Sequence, residues 1–188
     1  MKFVIEHLEL RLYKWCFLEY KHISKIVGKI NLLFTNIKNK KDRRKLKSFG
    51  KVNKKSVSDL NFKNCCVLDP NAKKTLNLKE AKKFNYFIFG GILGDYPAKK
   101  RTKKLLTYKI KNFQARNLGK KQMATDNAVL VVKKIINGKN LEKIKFSNKL
   151  EIKIKKGESI ILPYRYVCEN EPAISKELLR HIKKSRII

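Results

Sequence analysis

The sequence predicts an α/β fold built on a mostly parallel sheet, and three observations carry that prediction. Short apolar runs of strand character alternate with segments of helical periodicity, the order that crossovers between parallel strands require. Three loops of unusual composition each follow such a run: Leu68-Asp69-Pro70, Gly90-Gly91-Ile92-Leu93-Gly94-Asp95 and Leu118-Gly119-Lys120-Lys121-Gln122-Met123. Open α/β sheets bind ligands at the carboxyl ends of their strands, and glycine lets a backbone come close to a ligand. The acids are the third observation. Only 15 Asp and Glu stand against 47 Lys and Arg, yet Asp69, Asp95 and Asp126 fall in or beside those loops.

The elements follow in order. Lys2 to Ile5 reads as a strand ending at Glu6-His7-Leu8-Glu9. Trp15, Leu18, His22 and Ile26 recur at helical spacing, and Gly28 is a natural C-terminal stop. Ile30 to Thr35 is an apolar strand. Lys38 to Lys63 is basic and poorly periodic, which predicts a long loop. Cys65 to Leu68 reads as a short buried strand, with Cys65 and Cys66 on opposite faces. Asn77-Leu78-Lys79-Glu80 has capping-box spacing before a short helix. Asn85 to Phe89 is a strand running into the glycine loop. The basic stretch after Pro97 predicts a surface loop and one helix, and Phe113 to Leu118 a further strand. Thr125 or Asp126 is the expected cap of a helix that ends at Asn137-Gly138. Its apolar character on most sides predicts deep burial or a subunit contact. Leu150, Ile152 and Ile154 alternate with charged residues, and Gly157 turns the chain into Ile160 to Leu162, a hairpin pattern. Ile174, Leu178, Leu179 and Ile182 form a terminal helix with Ser175 as its cap.

At 188 residues the chain suits one main domain, expected over 1–148, with a C-terminal hairpin-and-helix extension over 149–188. No run approaches the ~20 apolar residues of a membrane span, and the N-terminus lacks the charged-then-apolar order of a signal peptide. A cytoplasmic location with no membrane partner is therefore expected. The net charge of +32 favours a polyanionic partner, RNA or a ribosomal particle. Lysine and isoleucine abundance of the kind AT-rich coding produces is the bland alternative, but the charge is clustered. Lys38 to Lys55 is opposed only by Asp42, and Lys99 to Lys121 holds ten basic residues and no acid. Cys16, Cys65, Cys66 and Cys168 lack C-x-x-C spacing, and His7, His22 and His181 lack ligand spacing, so no metal site is expected.

The glycine loop is neither a P-loop, since G-K-[ST] is missing, nor a G-x-G-x-x-G fingerprint. A structural turn explains it about as well as a ligand loop, until its place after a buried strand is counted. Asp95 suits several tasks: accepting from ribose hydroxyls, facing a positive sulfonium, taking a proton from a nucleophile, or simply capping the next helix. Leu118 to Asp126 joins flexible backbone, a Gln amide and the free N–H groups of a helix start.

Taken together, Ile5-Glu6-His7-x-Glu9, Leu68-Asp69-Pro70, Phe89 to Asp95, Leu118-Gly119-x-x-Gln122-Met123-x-Thr125-Asp126-x-Ala128 and Pro163-Tyr164-Arg165-Tyr166-Val167 resemble a small branch of the SPOUT methyltransferases. The resemblance covers most of the chain except about 38–63. The family pattern has two threonines where this chain has Ala124-Thr125, so no hydroxyl role falls on position 124. Archaeal members are described as predicted S-adenosylmethionine-dependent RNA methyltransferases. A eukaryotic relative methylates an arginine of a small-subunit ribosomal protein.

The resemblance implies a SPOUT-type α/β knot, a mostly parallel sheet with a deep trefoil knot, and S-adenosyl-L-methionine as cofactor. It places the cofactor in the knotted loops, on Gly90, Gly91, Gly94, Leu118, Gly119, Gln122, Met123 and Thr125, with Asp69 nearby. Asp95 is the first candidate for acid–base or orienting work, with Glu6 and Glu9 beside it. Lys99, Lys100, Arg101 and Arg116 are the candidate substrate grip. Most members dimerise through the knot while the eukaryotic relative is a monomer, so both states stand open. The charge puts RNA or a ribosomal component first as target. Arginine of a ribosomal protein is the alternative, and a non-catalytic RNA-binding protein the second.

Overall fold

Six strands form one parallel sheet in a computed structural model that describes residues 1–97 and 99–185. They are β1 (Lys2–His7), β2 (Leu32–Thr35), β3 (Lys51–Val52), β4 (Cys65–Leu68), β5 (Tyr86–Gly91) and β6 (Phe113–Arg116). Their order across the sheet is β3-β2-β1-β5-β4-β6, and every pairing is parallel. All six carboxyl ends therefore open on one edge, where the loops after β1, β4, β5 and β6 meet.

The pleat sorts the apolar residues onto two faces. Phe3, Ile5, Cys66, Leu68, Phe87 and Phe89 pack on one face, against helices α1 (Lys14–Val27) and α5 (Thr125–Ile136). Val4, Cys65, Val67 and Ile88 pack on the other, with Val57 and Leu106 over them. Cys65 and Cys66 thus do point to opposite faces, and burial pushes the Cys66 thiol up to about 12, so it is spent as a small apolar side chain. Gly28 ends α1 with φ +81°. Helix α5 is wedged between α1, β5 and the short α3 (Leu78–Ala81), which accounts for its apolar character.

A third cluster sits outside the sheet. The antiparallel hairpin β8 (Leu150–Lys155) and β9 (Glu158–Leu162) packs with α6 (Lys176–Ser185) against Leu18 of α1. Two short strands, β7 (Phe146–Ser147) and β10 (Tyr166–Val167), pair antiparallel and lead this region back to the sheet. Asn127 of α5 pins it there, accepting from the Val167 N–H at 2.8 Å and donating to the Ala173 carbonyl at 2.8 Å. Ser175 caps the start of α6 through the Leu178 N–H, as its sequence position predicted. No helix among the described residues is long and apolar enough to cross a membrane.

Two expectations are corrected. The basic segment 38–63 is structured: it holds α2 (Lys40–Leu46), β3 and a 3₁₀ turn at Val57–Asp59. Asn39 caps α2 by accepting from the Lys41 and Asp42 N–H groups, and Ile37, Leu46 and Val57 are its buried anchors. So few apolar residues give no visible period. At α5 the cap position is Ala124, with no side-chain cap; Thr125 and Asp126 are already helical. Asp126 instead binds His22 Nδ1 of α1 at 2.7 Å, tying the two helices together.

Two acids carry structural loads. Glu6 is 2% exposed, and its carboxylate accepts from Thr35 Oγ1 at 2.5 Å, Ser56 Oγ at 2.6 Å and the Val57 N–H at 3.1 Å. It joins the tips of β1 and β2 to the Ser56 turn, and burial raises its pKa despite those bonds. Asn77 caps α3 through the Glu80 N–H, as the spacing predicted, but the Glu80 carboxylate faces Arg116 in a two-pronged pair at 2.8 and 2.9 Å. That pairing holds Glu80 below its ordinary 4.5.

Two outcomes follow. A Cβ added at Gly91 collides with the Tyr20 hydroxyl and the Ile5 side chain, so Gly91→Ala should destabilise the fold by about 1–3 kcal/mol, the cost of overpacking. Urea unfolding reads it, and an unchanged midpoint contradicts the packing described. The stability advantage of wild type over Glu80→Gln should be complete above pH 4.5 and fade as pH falls through the lowered folded value. Paired urea titrations at several pH values measure that gap.

Candidate active site

A cavity of about 330 Å³ opens at the carboxyl ends of β4, β5 and β6. Leu68, Asp69 and Asn71 form one wall. Gly90, Leu93, Gly94 and Asp95 form a second. Leu118, Gly119, Gln122, Met123 and Thr125 form a third. Lys99, Lys100 and Arg101, the last opening α4 (Arg101–Leu105), stand at the mouth. The three loops singled out by sequence therefore share one hollow. Thr125 Oγ1 donates to the Gly90 carbonyl at 3.4 Å, joining the second wall to the third.

Each loop is held from behind. Asp69 is 2% exposed; it accepts from the Asn71 N–H at 2.8 Å, which closes the turn after β4, and from Thr107 Oγ1 at 2.7 Å. Glu9 accepts from the Leu93 N–H and from Arg101 Nη2, both at 2.9 Å, while Arg101 Nη1 donates to the Leu93 carbonyl at 3.1 Å. Glu9 thus shapes the glycine loop from outside the cavity. Arg101 and Lys99 lie 3.6 and 3.7 Å from the Asp95 carboxylate, which itself lines the hollow.

The second and third walls are braced by residues to which the sequence reading assigned no role. Tyr164 donates from its hydroxyl to the Gly94 carbonyl at 2.9 Å. Arg165 donates to the Leu118 carbonyl at 3.0 Å and lies 3.5 Å over the Phe146 ring, a cation–π contact. The Arg165 N–H donates to the Gln122 carbonyl at 2.9 Å. Close approach here demands glycine: a Cβ at Gly94 meets Gln122 and Tyr164, and one at Gly119, where φ is +98°, meets Arg165. The signal was the Pro163 to Val167 motif, visible in sequence but without a partner until the fold placed it.

Four sequence candidates are not brought into the cavity, Glu9 among them as just described. Glu6 is buried at the far side of the β1–β2 tips in the bonds described above. Arg116 is 6% exposed and bound to Glu80, so it has no free face for a phosphate. Gly91 lies under Tyr20, and it is this ring that forbids a side chain there.

A second cavity of about 530 Å³ adjoins the first. Leu93, Gly94, Gln122, Met123 and Thr125 line both. Its outer walls are Tyr13, Trp15 and Glu19 of the α1 region, Tyr164, and His181 of α6. Glu19 is 5% exposed, and burial raises its pKa well above the ordinary carboxylate value, with the Asp126 charge adding to the effect. Sequence reading missed Glu19 because it sits mid-helix with no motif around it.

The comparisons with known proteins agree with this geometry. A family model described as protein arginine N-methyltransferase SFM1-like matches residues 2–187. The protein arginine N-methyltransferase SFM1 of Saccharomyces cerevisiae is 38% identical over 98% of this chain and 95% of its own length. The crystal structure of the yeast arginine methyltransferase SFM1 complexed with SAM superposes with a TM-score of 0.89, at 36% identity, covering 98% of this chain and 90% of that one. A dual specific Trm10 from Thermococcus kodakaraensis, 19% identical, shares the fold with a TM-score of 0.59 over 76% of this chain and 95% of its own. With the match running almost end to end and the loops that line the cavity inside it, the chain belongs to the SFM1-like family of protein arginine N-methyltransferases.

Proposed function

We propose that this chain is an S-adenosylmethionine-dependent methyltransferase that modifies an arginine of a protein. The observation that carries the reading is the hollow in which the 90–95 and 118–125 segments meet, in a family whose yeast member crystallised with SAM.

The residues present suit that cofactor. Glycine backbone at positions 90, 94 and 119 lets a flat nucleoside lie close to the chain. Asp95 supplies negative charge beside a positive sulfonium, and Asp69 stands at the opposite wall. Ala124 caps α5 without a side-chain oxygen, which leaves first-turn N–H groups for an adenine edge or a carboxylate. Bound there, the cofactor supplies an electrophilic methyl group on a positively charged sulfur. The protein's task is then orientation: Glu9, Arg101 and Tyr164 set the glycine loop, and Arg165 clamps the loop opposite.

The deep trefoil knot of the resemblance is part of the same proposal. What supports it is the passage of the chain out of β6. Asn117 pairs through its N–H with the Lys74 carbonyl at 2.9 Å and through its carbonyl with the Leu76 N–H at 3.0 Å, beside the loop after β4. The chain then crosses to Gly90 and enters α5. The 149–188 region is proposed as an extension that walls the substrate side, since Tyr164 and His181 line the second cavity.

A ribosomal protein as target would reconcile arginine chemistry with the net charge of +32. The exposed Lys40, Lys41 and Arg44 of α2 add a basic face suited to RNA around such a substrate. The same charge favours RNA itself as the second reading.

Calorimetry with S-adenosylmethionine should show binding that Gly94→Val weakens at least about tenfold, because the new side chain meets Gln122 and Tyr164. Asp95→Ala should weaken it too. A folded wild type that binds no cofactor would leave the RNA-binding module standing. Labelled methyl groups transferred into a cell extract should survive RNase, disappear with protease and hydrolyse to methylarginine. Label lost to RNase would move the target to RNA.

A further inference from the structure

We infer that the second cavity receives the substrate's guanidinium and that Glu19 is the carboxylate that binds it; this rests on the arginine methyltransferase reading above. The starting observation is a mismatch of charge. In a chain with 47 Lys and Arg, the other buried acids of this region have polar or cationic partners: Glu6 has Thr35 and Ser56, Asp126 has His22 and Asp69 has Thr107. Glu19 is as buried as these, but its one favourable side-chain neighbour among the described residues is the Trp15 indole, and it alone of the four lines the second cavity. Lys14, the one lysine or arginine lining this cavity among the described residues, lies over the Phe17 ring at 5.4 Å and is exposed. A buried carboxylate beside a cavity, without its own cation, is a site for a cation from outside.

The surroundings select a guanidinium over an ammonium. Tyr13, Trp15 and Tyr164 line the same cavity, and a planar cation stacks on such rings while offering two parallel N–H bonds to one carboxylate. The cavity also shares the Leu93–Gly94 and Gln122–Met123 walls with the cofactor hollow, so a side chain held there reaches the reacting centre.

The titratable groups that feel Glu19 are Asp126 on α5, Cys16 and Tyr20 on α1, and Tyr164 and Tyr166 after β9, while Lys14 of α1 and His181 of α6 line the same cavity. Asp126 and burial together favour a protonated Glu19 in the empty site. An entering guanidinium reverses that balance and sends the proton to solvent. In the transfer step a bond forms between a guanidinium Nη and the methyl carbon. The carbon–sulfur bond breaks with its electron pair left on sulfur. The proton released from Nη goes to the Glu19 carboxylate and from there to solvent.

The test compares wild type with Glu19→Gln, which keeps shape and removes the charge. Methylarginine formation in protein extract and S-adenosylmethionine affinity are measured for both. N-acetyl-arginine methylamide serves as a small competitor, with N-acetyl-citrulline methylamide as its neutral isostere. The expected result is cofactor affinity within about twofold of wild type and kcat/KM lower by about 100-fold or more. Inhibition of wild type by the arginine amide should exceed that by the citrulline amide, and Glu19→Gln should lose the difference. Wild-type turnover in Glu19→Gln would overturn the assignment, as would loss of cofactor binding together with turnover, which would make Glu19 a structural residue. If wild type itself forms no methylarginine, the functional reading fails rather than the assignment of Glu19.

Discussion

The structure depends on one chain crossing. After β6 the backbone passes beside the loop that follows β4, pairs with it through Asn117, crosses the sheet edge to reach Gly90 and only then turns into α5. Both cavities exist because of that crossing, since Gln122, Met123 and Thr125 line each of them. The crossing is possible only where side chains are absent. Gly94 and Gly119 leave room for Gln122, Tyr164 and Arg165, and the last two residues return hydrogen bonds to the glycine loops. A turn that merely needed flexibility would not require such close neighbours.

In a chain this basic, the placement of acids describes the molecule better than the placement of bases. Glu6 satisfies the tips of two strands and a turn, Glu80 holds a buried arginine, and Glu9 positions a loop by its N–H and its arginine. Asp126 locks α5 to α1 through His22. Charge pairs of this kind cost desolvation, and their value is positional. Three acids line open space, Asp69 and Asp95 on walls of the first cavity and Glu19 on a wall of the second. Electrostatics and shape thus agree on where a cationic ligand belongs.

The basic residues act differently. Arg101 and Arg165 hold carbonyls inside the site. Arg116 is consumed by Glu80. Those left exposed, on α2 and at the mouth at Lys99 and Lys100, offer attraction to a polyanion, which salt screens. The second cavity is lined by an acid and aromatic rings, a lining that suits an arginine side chain better than a phosphate backbone.

Sequence alone determined the parallel α/β class, the alternation that sends Cys65 and Cys66 to opposite faces, the capping at Asn77 and Ser175, the terminal hairpin, and the three loops that share one hollow. All of these rest on local periods or on residue types with a fixed backbone preference. Tertiary structure decided the rest. It gave order to 38–63 through a few scattered anchors, assigned Glu6 and Arg116 to structural bonds, explained Gly91 by Tyr20, and set Glu19 of α1 facing Tyr164 from the far end of the chain. The physical reason is that a side chain's charge, partner and cavity belong to groups tens of residues apart or more, and no local pattern encodes which of them will meet.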